Sequence, residues 1–427
     1  MIRKSFFGFV KPRLKYSLLS DRHLNTLEIP DPKSIILLAE GPFDPGQATL
    51  LKEGDTVKTG QKLAPSPEKD AYVISSVTGT ITAISSYAGD FGKFYTAVSI
   101  DVSDKEEFDD QFETQSGEAA LPVARDYMTQ LPGKLPLSIF NDSNKILKTI
   151  VIYGGDNDLL VSTNQYIVKT RTAALKQGIR ILKQISGLDH IVMAIPGEFM
   201  QGYGHIGAEV KNVPIEYPAA NPLLIMKDTL GQIVPAGRHY EDMGVCFITA
   251  EAVAALGSAF QNGRIPVSKL MTVVSKNGDL QLVSARIGTP INHILDTLGI
   301  TLEDGDRIIF GGPMTGTSVW SAGHPVMPDT SALMVQDRES IPYVSDYPCI
   351  NCGECIRICP VFIPINMLVR FLEAEQYQEA ADQYDLYSCI ECGLCSFVCP
   401  SKIPIFQFIR LAKYELARVS SAEETHE

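Results

Sequence analysis

Residues 349–360 read "CINCGECIRICP" and residues 389–400 read "CIECGLCSFVCP". The two runs share one spacing, C-x2-C-x2-C-x3-C-P, and start forty positions apart. Such thiols can hold zinc, close a disulfide framework or ligate an iron–sulfur cluster. Zinc takes four ligands, commonly as two close pairs separated by a longer loop. Here three cysteines fall within seven residues (349–355), a wrap suited to three corners of a cube, and the fourth serves the cube of the other run. Disulfide scaffolds belong to short secreted chains, whereas this chain has 427 residues and gathers eight of its nine cysteines between 349 and 399. The runs therefore read as sites for two [4Fe–4S] clusters. Cys349, Cys352 and Cys355 with Cys399 hold one; Cys389, Cys392 and Cys395 with Cys359 hold the other. Two adjacent, fully ligated clusters pass single electrons and do no bond chemistry of their own.

The repeat extends past the ligands. Gly353, Ile363, Pro364, Ile365 and Arg370 recur as Gly393, Ile403, Pro404, Ile405 and Arg410. Gly353 and Gly393 are expected to let the backbone turn tightly against inorganic sulfide, and Pro360 and Pro400 to end each run and start a helix. Between the runs, "INMLVRFLEAEQYQEAADQY" (365–384) puts Leu368, Phe371, Leu372 and Tyr384 at helical spacing. The expectation is an all-α dicluster ferredoxin module over 340–418, followed by a disordered tail over 419–427.

Working toward the N-terminus, "KLMTVVSKNGDLQLVSARIGTPINHILDTLG" (269–299) reads as strand, Asn-Gly-Asp turn, strand and helix, and "GDRIIFGGPMTGTSV" (305–319) as a strand entering a glycine-rich bend. This reads as a smaller α/β segment over 246–335, one that resembles a β-grasp (SLBB-like) domain. "KTIVIYGG" (148–155), a helical stretch over 164–185 with Ile167, Ala174, Ile181 and Ile185 on one face, and "HIVMAIP" (190–196) make a βαβ unit, hence a Rossmann-like parallel α/β domain over 120–245. Residues 102–120, rich in Asp and Glu, read as a solvated linker. "LKEGDTVKTGQKLA" (51–64) and "AYVISSVTGTITAI" (71–84) alternate apolar and polar residues between turns and read as short strands; their G-D-x-V-x-x-G-Q-x-L and S-x-V-x-G-x-I phrases resemble the barrel-sandwich hybrid domain of lipoyl and biotinyl carriers, expected over 1–105. Lys69 lies where a lipoyl or biotinyl carrier lysine would sit, but its "PEKDAY" surroundings favour plain scaffold use of the barrel. The fold class is thus multidomain, α/β plus β plus an all-α module. Cys246 reads as a small buried hydrophobe, and His239 and His293 as structural.

A net charge of −13 argues against nucleic acid as a partner. No apolar run approaches the roughly 20 residues that span a bilayer, and the start lacks the h-region of a signal peptide, so a cytoplasmic location is expected. "MIRKSFFGFVKPRLKY" (1–16) is either a first barrel strand that buries Phe6, Phe7 and Phe9 or a basic, apolar docking segment.

The order of parts, with "GDTVKTGQKLA", "ARIGTPINHIL", "GGPMTG" (311–316) and the paired cysteine runs, resembles the C subunit of the Rnf electron-transport complex across nearly the whole chain. More distantly it is similar to the A subunit of the sodium-translocating NADH:quinone reductase, which lacks the clusters. The resemblance implies a peripheral subunit on the inner face of the cell membrane. Its partners would be the other subunits of a membrane redox complex and a soluble or membrane electron donor. NADH-oxidising relatives carry a G-x-G-G-A-G-F loop that brings backbone amides to FMN and NADH. Here the corresponding stretch (121–141) keeps only Gly133, and the family's N-G-x-E-x-E-P is replaced by "YGGDNDLL" (153–160). FMN and NADH therefore do not carry over by resemblance, and Gly154, Gly155 and Asp156 are left as candidate pocket wall. Two other readings stay open: an NADH dehydrogenase module whose FMN feeds the clusters, and a barrel-sandwich carrier or scaffold.

Overall fold

The computed structural model describes residues 12–19, 25–44, 50–65, 71–89, 92–115, 119–142, 145–200, 206–345 and 347–424. Lys69, the first eleven residues with Phe6, Phe7 and Phe9, and the end of the tail (425–427) lie outside them.

Alternating apolar residues build the first sheet. Ser34–Glu40, Phe94–Val102, Gly79–Ala88 and Thr56–Val57 lie side by side in that order, with a short pair, Lys62–Leu63 and Val73–Ile74, beside them. Ile35, Leu37, Val57, Leu63, Val98 and Ile100 fill the interior. A four-stranded, all-parallel sheet follows, ordered Glu209–Val213, Ile191–Pro196, Thr149–Tyr153 and Val245–Thr249. Its inner strands are apolar nearly throughout because both faces are covered. Cys246 sits there, buried, and burial pushes its thiol up to about 12. The helical stretch after Thr149–Tyr153 is two helices, Thr163–Thr170 and Thr172–Ser186, broken at Arg171. Ala174 and Gly178 let the second helix touch the helix Ala250–Asn262: a Cβ on Gly257 would lie 2.0 Å from the Ala174 carbonyl oxygen.

The third sheet is mixed and six-stranded: Thr26–Glu28, Leu280–Arg286, Ser268–Val274, Ala332–Gln336, Arg307–Phe310 and Thr317–Val319. The expected Asn-Gly hairpin joins the second and third of these, with Gly278 at φ +82. Its edge strand, Thr26–Glu28, comes from the first hundred residues and pairs in parallel with Leu280–Arg286. The acidic stretch 102–120 departs from the linker expectation. It contains a short helix, Gln111–Gln115, whose Phe112 is buried edge-on to Phe260 with ring centroids 5.5 Å apart.

Cys355, Cys359, Cys395 and Cys399 lie in a helical core with Leu368, Val369, Leu372, Leu386, Ile405 and Ile409, whereas Cys392 lies in the core of the parallel sheet. Two expectations are corrected here. The helices after each run begin at Ile365 and Ile405, behind Pro364 and Pro404 and not at Pro360 and Pro400, because Phe362 and Lys402 adopt φ near +59 and +58 and break the chain direction. The last helix, Ile405–Glu424, also continues through most of the expected disordered tail. Arg418 pairs with Glu415 at 2.7 Å and the Ser420 hydroxyl donates to the Leu416 carbonyl, which supports its last turns.

Candidate iron–sulfur centre

Each cysteine run folds the same way because the same residues take left-handed backbone. Asn351 and Glu391 have φ 55 and 52, and Gly353 and Gly393 both have φ 73. A five-residue helix follows each glycine, Glu354–Ile358 in the first run and Leu394–Val398 in the second. It points Cys355 and Cys395 inward and ends at Cys359 and Cys399, which are extended.

The thiols gather in two groups. Burial pushes Cys355 up to about 12, and Cys352, Cys349 and Cys399 add to that shift by their proximity. Burial likewise pushes Cys392 up to about 12, with Cys389 and Cys359 adding to it. Cys389 is pushed up by burial to about 11, again with a contribution from Cys359 and with Lys413 opposing. Cys395 is raised well above the ordinary range by burial, then by Cys389 and Cys392, and more weakly by Cys355 of the other group. The fourth cysteine of each run thus neighbours the other run, and Cys355 and Cys395 link the groups. Buried thiols that repel one another's ionisation suit cationic irons, whose charge is what favours thiolate. Among the described residues no three such side chains converge tightly enough to grip one bare ion; a cubane does not require it, since each corner iron takes its own thiolate. Backbone N–H groups also face the sulfurs, the Glu391 amide at 3.4 Å from Cys389 Sγ, and bonds of this kind tune cluster potential.

The two sites differ in surroundings. The second run is built into the α/β body. Ile390, Cys392 and Leu394 pack among Tyr16, Tyr217, Ile225 and Met226. The Tyr217 hydroxyl donates to the Cys392 carbonyl at 2.7 Å, and the Asn221 amide to the Ile390 carbonyl at 3.1 Å. Lys413 donates to the Cys389 carbonyl and to Glu391, both at 2.8 Å. On its other side Gly393 faces the "GGPMTG" bend, where an added Cβ would lie 2.5 Å from the Met314 carbonyl oxygen. That bend is tied down by Asp158, which accepts from the Thr315 amide and hydroxyl, both at 2.7 Å, and from the Met314 amide. The first run is more open, and Cys352 is exposed. Tyr217, Asn221, Asp158 and Lys413 were invisible to sequence reading because none of them belongs to a cysteine motif.

Residues 348–404 match the family model described as "4Fe-4S dicluster domain", and residues 5–106 match "RnfC Barrel sandwich hybrid domain". The C subunit of the ion-translocating oxidoreductase complex of Edwardsiella ictaluri is 26% identical over 400 residues, 88% of this chain and 49% of that protein. The chain is RnfC-like. The C subunit of the proton-translocating ferredoxin:NAD(+) oxidoreductase complex of Clostridium ljungdahlii is 24% identical over 404 residues, 90% of this chain and 88% of that protein. This RnfC-like chain thus spans about half the length of the Edwardsiella protein and most of the clostridial one. Among solved structures, the NAD+-reducing [NiFe]-hydrogenase in its H2-reduced state matches with TM-score 0.45 and 13% identity, covering 70% of this chain and 61% of that one. The dicluster match together with the paired runs means that the chain houses two [4Fe–4S] clusters.

The flavin and nucleotide candidates fare differently in this RnfC-like chain. Open parallel sheets bind such ligands in the crevice beyond the strand ends, with phosphate at a helix N-terminus. Here Asp156 occupies that end itself, accepting from the Asn164 amide at 2.9 Å and the Gln165 amide at 3.4 Å. Burial pushes its carboxyl up to about 6. Residues 16–19 lie over the same helix: the Leu19 amide donates to Gln165 at 3.0 Å, and Lys169 donates to the Leu19 carbonyl at 2.6 Å. Gly154 is small for packing, since a Cβ there would come within 2.7 Å of Val168 and Ile195 side chains. Gly154 and Asp156 are therefore taken up by packing and by the helix end, and do not form the phosphate wall expected of them. His293 makes a bond to the Pro30 carbonyl at 2.8 Å, and the His239 amide donates to Asp242 at 3.0 Å; both lie away from the cysteines in sequence.

Proposed function

We propose that this chain is a peripheral electron-transfer subunit of a membrane-bound Rnf-type redox complex, on the cytoplasmic face of the cell membrane. It relays single electrons through its two [4Fe–4S] clusters. Cys349, Cys352, Cys355 and Cys399 ligate the first cluster, and Cys389, Cys392, Cys395 and Cys359 the second. The observation that carries this is the mutual proximity of thiols across the runs, Cys399 beside Cys355 and Cys359 beside Cys389 and Cys392. Shared ligation makes the cubes neighbours, and neighbouring, fully ligated cubes serve as a wire. The relatives' names supply the setting, an ion-translocating oxidoreductase complex. No described helix is long and apolar enough to cross a membrane. The sheets support a division into barrel, Rossmann-like, β-grasp and dicluster units.

The reading as an NADH dehydrogenase with FMN is weakened by Asp156, whose carboxylate already takes the amides a phosphate would need. The donor and acceptor are then other proteins. Cys359→Ser tests the assignment. Wild-type holoprotein should hold about eight irons and eight sulfides. The variant should lose chiefly the signal of the cluster held by Cys389, Cys392 and Cys395, read by electron paramagnetic resonance. Loss confined to the cluster of its own run overturns the shared ligation, and stoichiometric FMN with rapid NADH oxidation overturns the relay reading.

A further inference from the structure

The internal repeat allows each residue of the first run to be compared with its twin in the second; Cys355 and Cys359 are as buried as Cys395 and Cys399, but the twins at the outer turn have opposite surroundings. Ile390 is 7% exposed and Leu394 4%, both pressed into the α/β body. Ile350, the twin of Ile390, is 66% exposed. Cys392 is buried, whereas its twin Cys352 is exposed. Tyr217 and Asn221 donate to the carbonyls of Cys392 and Ile390; among the described residues no side chain does so for Cys352 and Ile350. The segment entering the first run adds Tyr343, Val344 and Tyr347, exposed by 70%, 52% and 67%. It is held beside the first site, because the Ser345 amide donates to the Lys402 carbonyl at 3.1 Å and Lys402 closes the turn that carries Cys399. Four large apolar or aromatic side chains within eight residues (343–350), next to an exposed cysteine, are an unusual use of surface in an acidic chain.

We propose that this face, centred on Ile350 and Cys352 with Tyr343, Val344 and Tyr347, is the docking surface for a redox partner protein. The second run indicates what such a partner must be. It presents an apolar face for Ile350, offers hydrogen-bond donors to the Ile350 and Cys352 carbonyls, and places a one-electron centre, iron–sulfur or flavin, beside the first cluster. One electron then passes between that centre and the cluster, one oxidised as the other is reduced, with no bond made or broken. The interface that the α/β body forms with the second run is thus repeated on the first by another protein. Where the second run has Leu394 the first has Glu354, paired with Arg357 at 2.5 Å, so the rim of the partner's site is polar.

This inference rests on the relay reading, and its test separates the two. Ile350→Glu and Tyr347→Ser are introduced into the full chain, and the complex is purified from its own membranes without oxygen. Both variants should keep about eight irons and their thermal midpoint, and reduction by dithionite should be unchanged. Exchange of electrons between the first cluster and the rest of the complex should slow at least tenfold. Ile390→Glu, the same change at the twin, should instead lose cluster and fold. As an independent measure, aqueous chromium(III) oxalate should broaden the first cluster's resonance in isolated holoprotein and not in the complex. Unslowed exchange, or equal broadening in both states, overturns the docking surface. A wild-type dimer that Ile350→Glu converts to a monomer overturns it in favour of a second copy of this chain. If neither wild-type cluster changes redox state during turnover, the relay reading itself fails, whatever the variants do.

Discussion

Gly353 and Gly393 offer a paired measurement of what the tertiary structure adds to a cluster turn. Both have φ 73, so alanine at either position carries the same conformational cost, about 1–2 kcal/mol for a left-handed residue with a Cβ. They differ in what that Cβ meets. At Gly353 its nearest neighbour is the Arg357 guanidinium at 3.8 Å, the end of a flexible side chain. At Gly393 it would lie 2.5 Å from the Met314 carbonyl oxygen and 3.3 Å from the carbonyl carbon. That carbonyl cannot yield alone, because Asp158 holds the Met314 and Thr315 amides. Forced overpacking of this kind costs about 1–3 kcal/mol more. Gly393→Ala should therefore exceed Gly353→Ala by ~2 kcal/mol, which is roughly a 30-fold difference in rate if it falls on unfolding. Loss of visible cluster absorption at a fixed urea concentration, measured anaerobically, gives both rates. Equal rates would refute the argument, since they would mean that the second run does not bear on the bend at Met314.

Two further outcomes follow from buried charges. Lys269 and Glu251 form an ion pair with side chains 1% and 7% exposed, and Glu251 also accepts from the Leu270 amide. Lys269→Met should cost about 3–5 kcal/mol in urea unfolding by stranding the carboxylate, and adding Glu251→Gln should recover much of that; a neutral single variant would show the pair to be incidental. Asp156 has its carboxyl raised to about 6 from 3.8 by burial. The folded state then binds more protons than the unfolded, so this group's contribution is full below the unfolded value and is lost as pH rises through about 6. Relative to Asp156→Asn, wild type should gain about 1 kcal/mol between pH 7 and pH 5; parallel pH profiles would show that Asp156 is not held in the folded state as described.

The cysteine spacing by itself determined the chemistry. Cluster ligation is local: three thiols within seven residues and a turn-forming glycine must be adjacent in sequence to wrap one body, so the letters alone carry the pattern. The alternation of residues 51–84 and the Asn277-Gly278 turn were legible for the same reason, since strand pleat and hairpin geometry act over a few residues. What periodicity could not report was where each surface would be buried. Ile350 and Ile390 are the same residue in the same motif, and only the packing of Tyr217 and Ile225 against the second run makes one core and the other surface. In "YGGDNDLL" Asp156 reads as a candidate pocket wall and Asp158 carries no signal, and only the fold brings a helix end to the first and the Met314 bend to the second. Thr26–Glu28 likewise belongs to a sheet whose other strands lie more than 200 residues away. Contacts of that range are set by the closing of the whole chain, and no short window of sequence contains both of their sides.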